Sequence, residues 1–410
     1  MSQTPAMNPA NPIADRELPS SARATRSPFI RLNELIAGVT PAKSAINLTV
    51  GEPQHPIPPF VGEVIQRSLK DFGRYPATKG TDRFRDAAAS WLERRFALKT
   101  PIERGTQLLS LNGTREGLFF AALTAKDYIT KRVARPAILV PNPFYAAYVA
   151  GAVAAGCEAV FLPAWKENGF LPDLDALDDA LLDRTVAMYF GSPSNPQGAV
   201  ADIPYLTRLV GLARKHNFML FSDECYSEIY TREKPPGVLD ATGSDFTNVV
   251  AFNSLSKRSN LPGLRVGIAV GDTKYMAKFL DYRNVVAPQV PGPLQEVAAA
   301  AYDDEAHVEE NRRLYRLKYD LADQIVGDRY GYTRPAGGFF LWLDVAKYGG
   351  SEKVALKLWQ DAGIRTLPGG YLAYNQADGR NPGADYIRVA MVQDQAVTGE
   401  ALHRIVEVLD

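Results

Sequence analysis

Between residues 136 and 270 the chain returns repeatedly to short, almost uninterrupted apolar runs: PAILVP, AVFLPA, TVAMYFGSP, FMLFSD, NVVAFNS and LRVGIAV. Runs of this length cannot cross a bilayer, and they lack the alternation of a strand with one wet face. They fit strands covered on both sides. Amphipathic stretches such as IPYLTRLVGLARKHN separate many of them and predict helices. The chain is therefore expected to be an α/β protein built on a large, mainly parallel sheet. Its functional residues should gather at the carboxyl ends of the strands.

The texture divides the chain into four parts. Residues 1–27 are rich in Pro, Ala and Ser and have no apolar core, which predicts a flexible leader and not a signal peptide. Residues 28–59 contain a short amphipathic helix (SPFIRLNELIAG) and a strand running into a Gly/Pro turn (AINLTVGEP). This segment is expected to pack with the small domain. Residues 60–295 form the large domain. From 296 a charged helical region, GGFFLWLDV and YIRVAMV predict a smaller α+β domain ending at 410.

Composition removes several classes of function. Lys plus Arg and Asp plus Glu both number 46, so no basic surplus invites a nucleic acid. No apolar run is long enough for a membrane span. Two cysteines predict reduced thiols and a cytoplasmic location. The four histidines, His55, His216, His307 and His403, fit no metal-ligand spacing, so no metal is expected.

Several residues at predicted strand and helix ends carry chemistry. In FNSLSKRSNLPGLRVG, Lys257 follows an apolar strand, flanked by Ser254 and Ser256, with Arg265 beyond a Gly/Pro turn. A lysine held this way can condense with an aldehyde, while the hydroxyls and guanidinium bind a phosphate dianion. A solvated surface lysine is the plain alternative. Asp223 closes FMLFSD, where a buried carboxylate needs a partner such as a pyridinium nitrogen, or else caps a following helix. Tyr226 and Asn195, the latter in GSPSNPQG, can reach a ring 3-oxygen; a simple Asn-Pro turn also explains Asn195. Gly113, Thr114 and Arg115 open a helix whose free N–H groups suit a phosphate. Tyr145 can stack on a ring, or be an ordinary buried aromatic. Arg388 in YIRVAMV suits an α-carboxylate, or a structural salt bridge.

Together these residues supply the parts of one pyridoxal phosphate site. Their ordered set, Gly113, Asn195, Asp223, Lys257, Arg265 and Arg388, resembles the class I/II, fold-type I aminotransferases from Gly51 to Met391. The resemblance implies a cofactor bound covalently to Lys257, with Asp223 and Tyr226 also catalytic. It implies a homodimer in which Tyr75, in RYPATKG, reaches the phosphate of the neighbouring subunit. Gly51, Asn195 and Arg388 would bind the amino-acid and 2-oxo-acid substrates. Longer strings, among them SDECYSEIY, FNSLSKRSNLPGLRVG and LPGGYLAY, are similar to the succinyldiaminopimelate aminotransferases of lysine synthesis. That likeness implies N-succinyl-L,L-2,6-diaminopimelate and 2-oxoglutarate as substrates. A succinylated substrate needs a second anion site, for which Arg31, Lys79 and Arg85 are candidates.

Other readings use the same cofactor residues: a broader aspartate/alanine-type aminotransferase, or a carbon–sulfur β-lyase. The sensor domain of a transcription regulator would need a DNA-binding head, and the balanced charge argues against it.

Overall fold

The computed structural model describes residues 26–243 and 245–410. Apart from Arg26 and Ser27, the expected leader lies outside the described residues. The strands are β1 (Ile46–Asn47), β2 (Leu108–Leu111), β3 (Ala137–Asn142), β4 (Glu158–Pro163), β5 (Thr185–Gly191) and β6 (Met219–Asp223). Next come β7 (Val249–Ser254), β8 (Gly267–Gly271), β9 (Phe340–Asp344), β10 (Ile364–Arg365), β11 (Leu367–Pro368) and β12 (Tyr386–Ala390).

Strands β2 to β8 form one sheet in the order β2-β8-β7-β6-β5-β3-β4. Its pairs are parallel except around β8, which runs antiparallel to both β2 and β7. All the other strands therefore end at the edge where β8 begins. Successive residues serve opposite faces: Met188 and Phe190 of β5 join one core, Ala187 and Tyr189 the other. Both faces are buried, which is why these strands read as continuous apolar runs.

A second layer is the antiparallel sheet β11-β12-β9, with β1 pairing parallel to β10. Ile46 and Leu48 share a core with Leu341, Leu343, Ile387 and Val389, so both ends of the described chain build it. Helix Gly292–Asp303 runs across the 295/296 boundary expected from sequence. Its Val297, Ala298 and Ala301 lie in the core beside the large sheet. We therefore propose that the domains divide after this helix, near Asp304. Among the described residues, no helix is long and apolar enough to cross a membrane.

Candidate active site

Lys257 stands just past the end of β7, on the single helical turn Leu255–Arg258. The Ser254 hydroxyl caps that turn, accepting a hydrogen bond from the Ser256 amide at 3.2 Å and meeting the Ser256 hydroxyl at 2.8 Å. The Lys257 amine donates to the carbonyl of Gly51 and lies 5.4 Å from the centre of the Phe339 ring. Burial lowers its pKa to about 8, against the opposing pull of Cys225 and Glu52. Only the neutral amine attacks an aldehyde, and a lowered pKa makes that form prevalent at lower pH. Uptake of an aldehyde cofactor by the apoprotein should therefore accelerate up to about pH 8 and then level off. Stopped-flow absorbance between about pH 6 and 10 checks this; a rate still climbing near an ordinary lysine pKa, about 10.4, would contradict it.

Asp223 ends β6. No helix follows it, so its carboxylate is not an N-cap; the chain goes through a turn instead. One oxygen accepts from the Cys225 amide at 3.2 Å, the other from the Tyr148 hydroxyl at 2.7 Å. Burial first, and then this neighbouring carboxylate, push the Tyr148 phenol well above its usual range. It thus stays a donor. Asp223 has no cationic side-chain partner among the described residues. Tyr226 lies close by, packed edge-on against Phe339 and Phe340, and burial also raises its pKa.

Gly113 precedes helix Thr114–Tyr128 with a φ of 79°. An added Cβ there would meet the Arg265 guanidinium at 2.1 Å, so only glycine lets the two come together. Arg265 reaches this edge because β8 runs antiparallel and begins where the other strands end. Its guanidinium donates to the carbonyls of Pro262, at 2.7 Å, and Asn112, at 3.4 Å. The Thr114 hydroxyl meets the Cys225 thiol at 3.1 Å. Arg115 donates from Nε to the Tyr145 hydroxyl at 2.6 Å, which ties the helix N-terminus to that ring.

Arg388 is buried, 5% exposed, yet forms no ion pair with a described residue. It donates to Asn195 Oδ1 at 3.0 Å and to the Thr49 carbonyl at 2.7 Å, and its guanidinium lies 4.3 Å from the Phe340 ring centre. Burial lowers its pKa to about 10. A buried cation without a counter-charge is costly, and a carboxylate ligand removes that cost. Gly51 is fitted closely here, since an added Cβ would fall 2.6 Å from Phe340. Tyr75 stands apart from this cluster at 99% exposure.

These groups fit pyridoxal phosphate: an amine for the aldehyde, an uncompensated carboxylate for the ring nitrogen, and a helix N-terminus with Arg265 for the phosphate. Tyr148, which donates to Asp223, and the Thr49 carbonyl and Phe340, which flank Arg388, are contacts that sequence reasoning missed. Tyr148 lies in the first turn of helix Ala146–Ala154, which extended Tyr145 immediately precedes. Of the three candidates for a second anion site, Arg85 is occupied structurally: it is buried, donates to the Gly80 carbonyl at 2.6 Å and pairs with Asp82. Lys79 is not among the residues that line a cavity bordered by Arg31.

The model of the family described as aminotransferase class I and II matches residues 43–405. LL-diaminopimelate aminotransferase 2 of Nostoc sp. is 31% identical, the match covering 88% of this chain and 89% of that protein. Among solved structures, an aminotransferase from Neisseria meningitidis superposes with a TM-score of 0.88 at 36% identity, covering 93% of this chain and 97% of that one. A probable N-succinyldiaminopimelate aminotransferase from Thermus thermophilus gives 0.82 at 25% identity, over 93% and 100%.

Proposed function

The chain belongs to the class I and II aminotransferases, and from that premise we propose that it moves the amino group of N-succinyl-L,L-2,6-diaminopimelate to 2-oxoglutarate, a step in lysine biosynthesis. The observation carrying an amino-acid substrate is Arg388, a buried guanidinium fork without a carboxylate of its own among the described residues, placed beside Asn195 and within one cluster with Lys257. The name given to the Thermus neighbour supports the succinylated substrate. The Nostoc relative favours a second reading, in which free LL-diaminopimelate is the donor.

Pyridoxal phosphate, the family's cofactor, supplies an aldehyde that condenses with amines and a ring that takes up the electrons released from the substrate Cα. Lys257 would hold that aldehyde. With its Nζ free, the same lysine would serve as the general acid–base that takes a proton from the substrate Cα and gives one back. Asp223, oriented by Tyr148, would hold a proton on the ring nitrogen. Asn195 and Tyr226 would hold the ring 3-oxygen, Tyr145 would cover the ring, and Gly113, Thr114, Arg115, Ser254, Ser256 and Arg265 would hold the phosphate. Arg388 grips the α-carboxylate beside Gly51. The buried rings of Phe339 and Phe340 would give the site an apolar wall against water. The exposed Tyr75, with exposed Leu69 and Phe72 nearby in the chain, supports a homodimer in which Tyr75 reaches the partner's phosphate site.

The visible spectrum of the loaded enzyme tests the substrate. Adding glutamate or the succinylated compound should each bleach the band of the lysine-bound cofactor, the succinylated one faster per mole. Bleaching by glutamate and free LL-diaminopimelate alone would favour the second reading. Release of pyruvate and ammonia from cystathionine, without glutamate formation from 2-oxoglutarate, would make the protein a lyase.

A further inference from the structure

A cavity of about 620 Å³ lies between the N-terminal helix Pro28–Leu35 and the loop that follows β11. Phe144 forms part of its wall, and Phe144 is the residue before Tyr145. The loop is anchored to the sheet edge that carries the active-site cluster. The Asn142 amide donates to the Tyr374 carbonyl at 2.8 Å, and its oxygen accepts from the Tyr374 amide at 2.9 Å. The Phe144 amide donates to the Leu372 carbonyl at 2.9 Å, and Phe161 stacks on Tyr374 at 4.8 Å. The loop's other end is held as well, because Leu367 lies opposite Arg388 in the β11–β12 register. The residues that border the cavity are thus tied to the segments that carry Tyr145 and Arg388.

Its lining includes two guanidinium groups and, among the described residues, no carboxylate. Arg26 is paired with Glu34 at 2.5 Å. Arg31 is held more loosely: its guanidinium stacks 3.7 Å from the centre of the Tyr371 ring and forms a long ion pair with Glu352 at 3.8 Å. Stacking fixes the plane of the fork and leaves its N–H edge for an incoming carboxylate. The side-chain amides of Asn375, Gln376 and Asn381 also border the space, and Gln376 Nε2 is buried without a partner among the described residues.

We infer that this cavity receives the distal arm of the substrate and that Arg31 is the specificity-determining residue that binds the arm's carboxylate. This rests on the function proposed above and narrows it. An acylated arm ends in carboxylates and contains an amide, which suits a guanidinium and side-chain amides. A free distal ammonium, as on unacylated diaminopimelate, would find here only carboxylates already paired with the arginines, Glu34 and Glu352.

The test compares the pyridoxal phosphate-loaded wild type with Arg31→Ala and Arg31→Lys. For N-succinyl-L,L-2,6-diaminopimelate, Arg31→Ala should lower kcat/KM about 10- to 100-fold, chiefly through KM, the scale of losing one charge-assisted contact. Arg31→Lys should recover part of that loss, because it restores the charge without the fork. Glutamate, whose chain stops short of the acyl position, should change less than about threefold. The dissociation constant of N-succinyl-2-aminopimelate, which lacks the transferable amine, should rise by the same factor as KM when measured by calorimetry. If the wild type uses the succinylated substrate and Arg31→Ala leaves its kinetics and the analogue's affinity unchanged, the inference falls and the proposed function stands. An equal loss with glutamate would mean a structural role for Arg31 and would also overturn it. A wild type active with glutamate that neither turns over the succinylated substrate nor binds the analogue overturns both.

Discussion

Replacing Lys257 with alanine should abolish turnover and, with it, the visible band of the covalently held cofactor. Under the proposed assignment one amine does two jobs, anchoring the aldehyde and shuttling the proton between Cα and C4′. Removing a group with combined covalent and acid–base roles costs on the order of 10⁶ in rate. The side chain is placed for such work and not for stability. It forms no ion pair with a described residue; its amine donates to the Gly51 carbonyl, and burial holds its pKa at about 8. The variant should consequently fold, as a cooperative thermal transition near that of the wild type would show, and it should still take up cofactor without the covalent band. Near-wild-type activity in Lys257→Ala would remove the lysine from the mechanism.

The second large effect is expected at Asp223. An ionised carboxylate at the ring nitrogen keeps that nitrogen protonated, so that the ring accepts the electrons left when the Cα–H bond breaks. Loss of one preorganised electrostatic partner at a reacting centre is worth about 2–4 kcal/mol, or roughly 10²- to 10³-fold in the single-turnover rate. Asp223→Ala should show that loss. Asp223→Asn, which keeps the shape and can still accept a hydrogen bond from Tyr148, should show most of it, because charge and not geometry is the missing quantity. A normal single-turnover rate in Asp223→Asn would leave the carboxylate with only an architectural role. Both variants should retain the covalent band, which separates this effect from that at Lys257.

The candidate site was legible where chemistry sits at the end of a local pattern. Lys257 after NVVAFNS and Asp223 at the end of FMLFSD are visible because an apolar run that stops at a charged residue marks a strand reaching an edge. Parallel strands deliver such ends to one side. Arg265 was legible as a residue, but its arrival at that side depends on β8 running antiparallel, which its apolar sequence does not encode. The boundary expected at 295/296 shows the same limit. The helix there is apolar enough to be seen, but its membership of the large core is decided by the surfaces it meets.

Arg388 marks the division most clearly. Its place on a strand among apolar neighbours follows from the period-two pattern, and a guanidinium there predicts an anion. Whether that anion belongs to the protein or to a ligand depends on residues far off in the chain: the Thr49 carbonyl, Asn195 and Phe340 surround it, and none is a carboxylate. Arg31 and Arg85 were equal as candidates for a second anion site. Folding spends one on the Gly80 carbonyl and Asp82, and sets the other on Tyr371 at the wall of a cavity. By itself the sequence determined the α/β class, the strands and the chemical groups at their ends, because periodicity and residue type act locally. The tertiary structure alone decided which charges are compensated, since compensation is a matter of distance through space between residues that the chain keeps far apart.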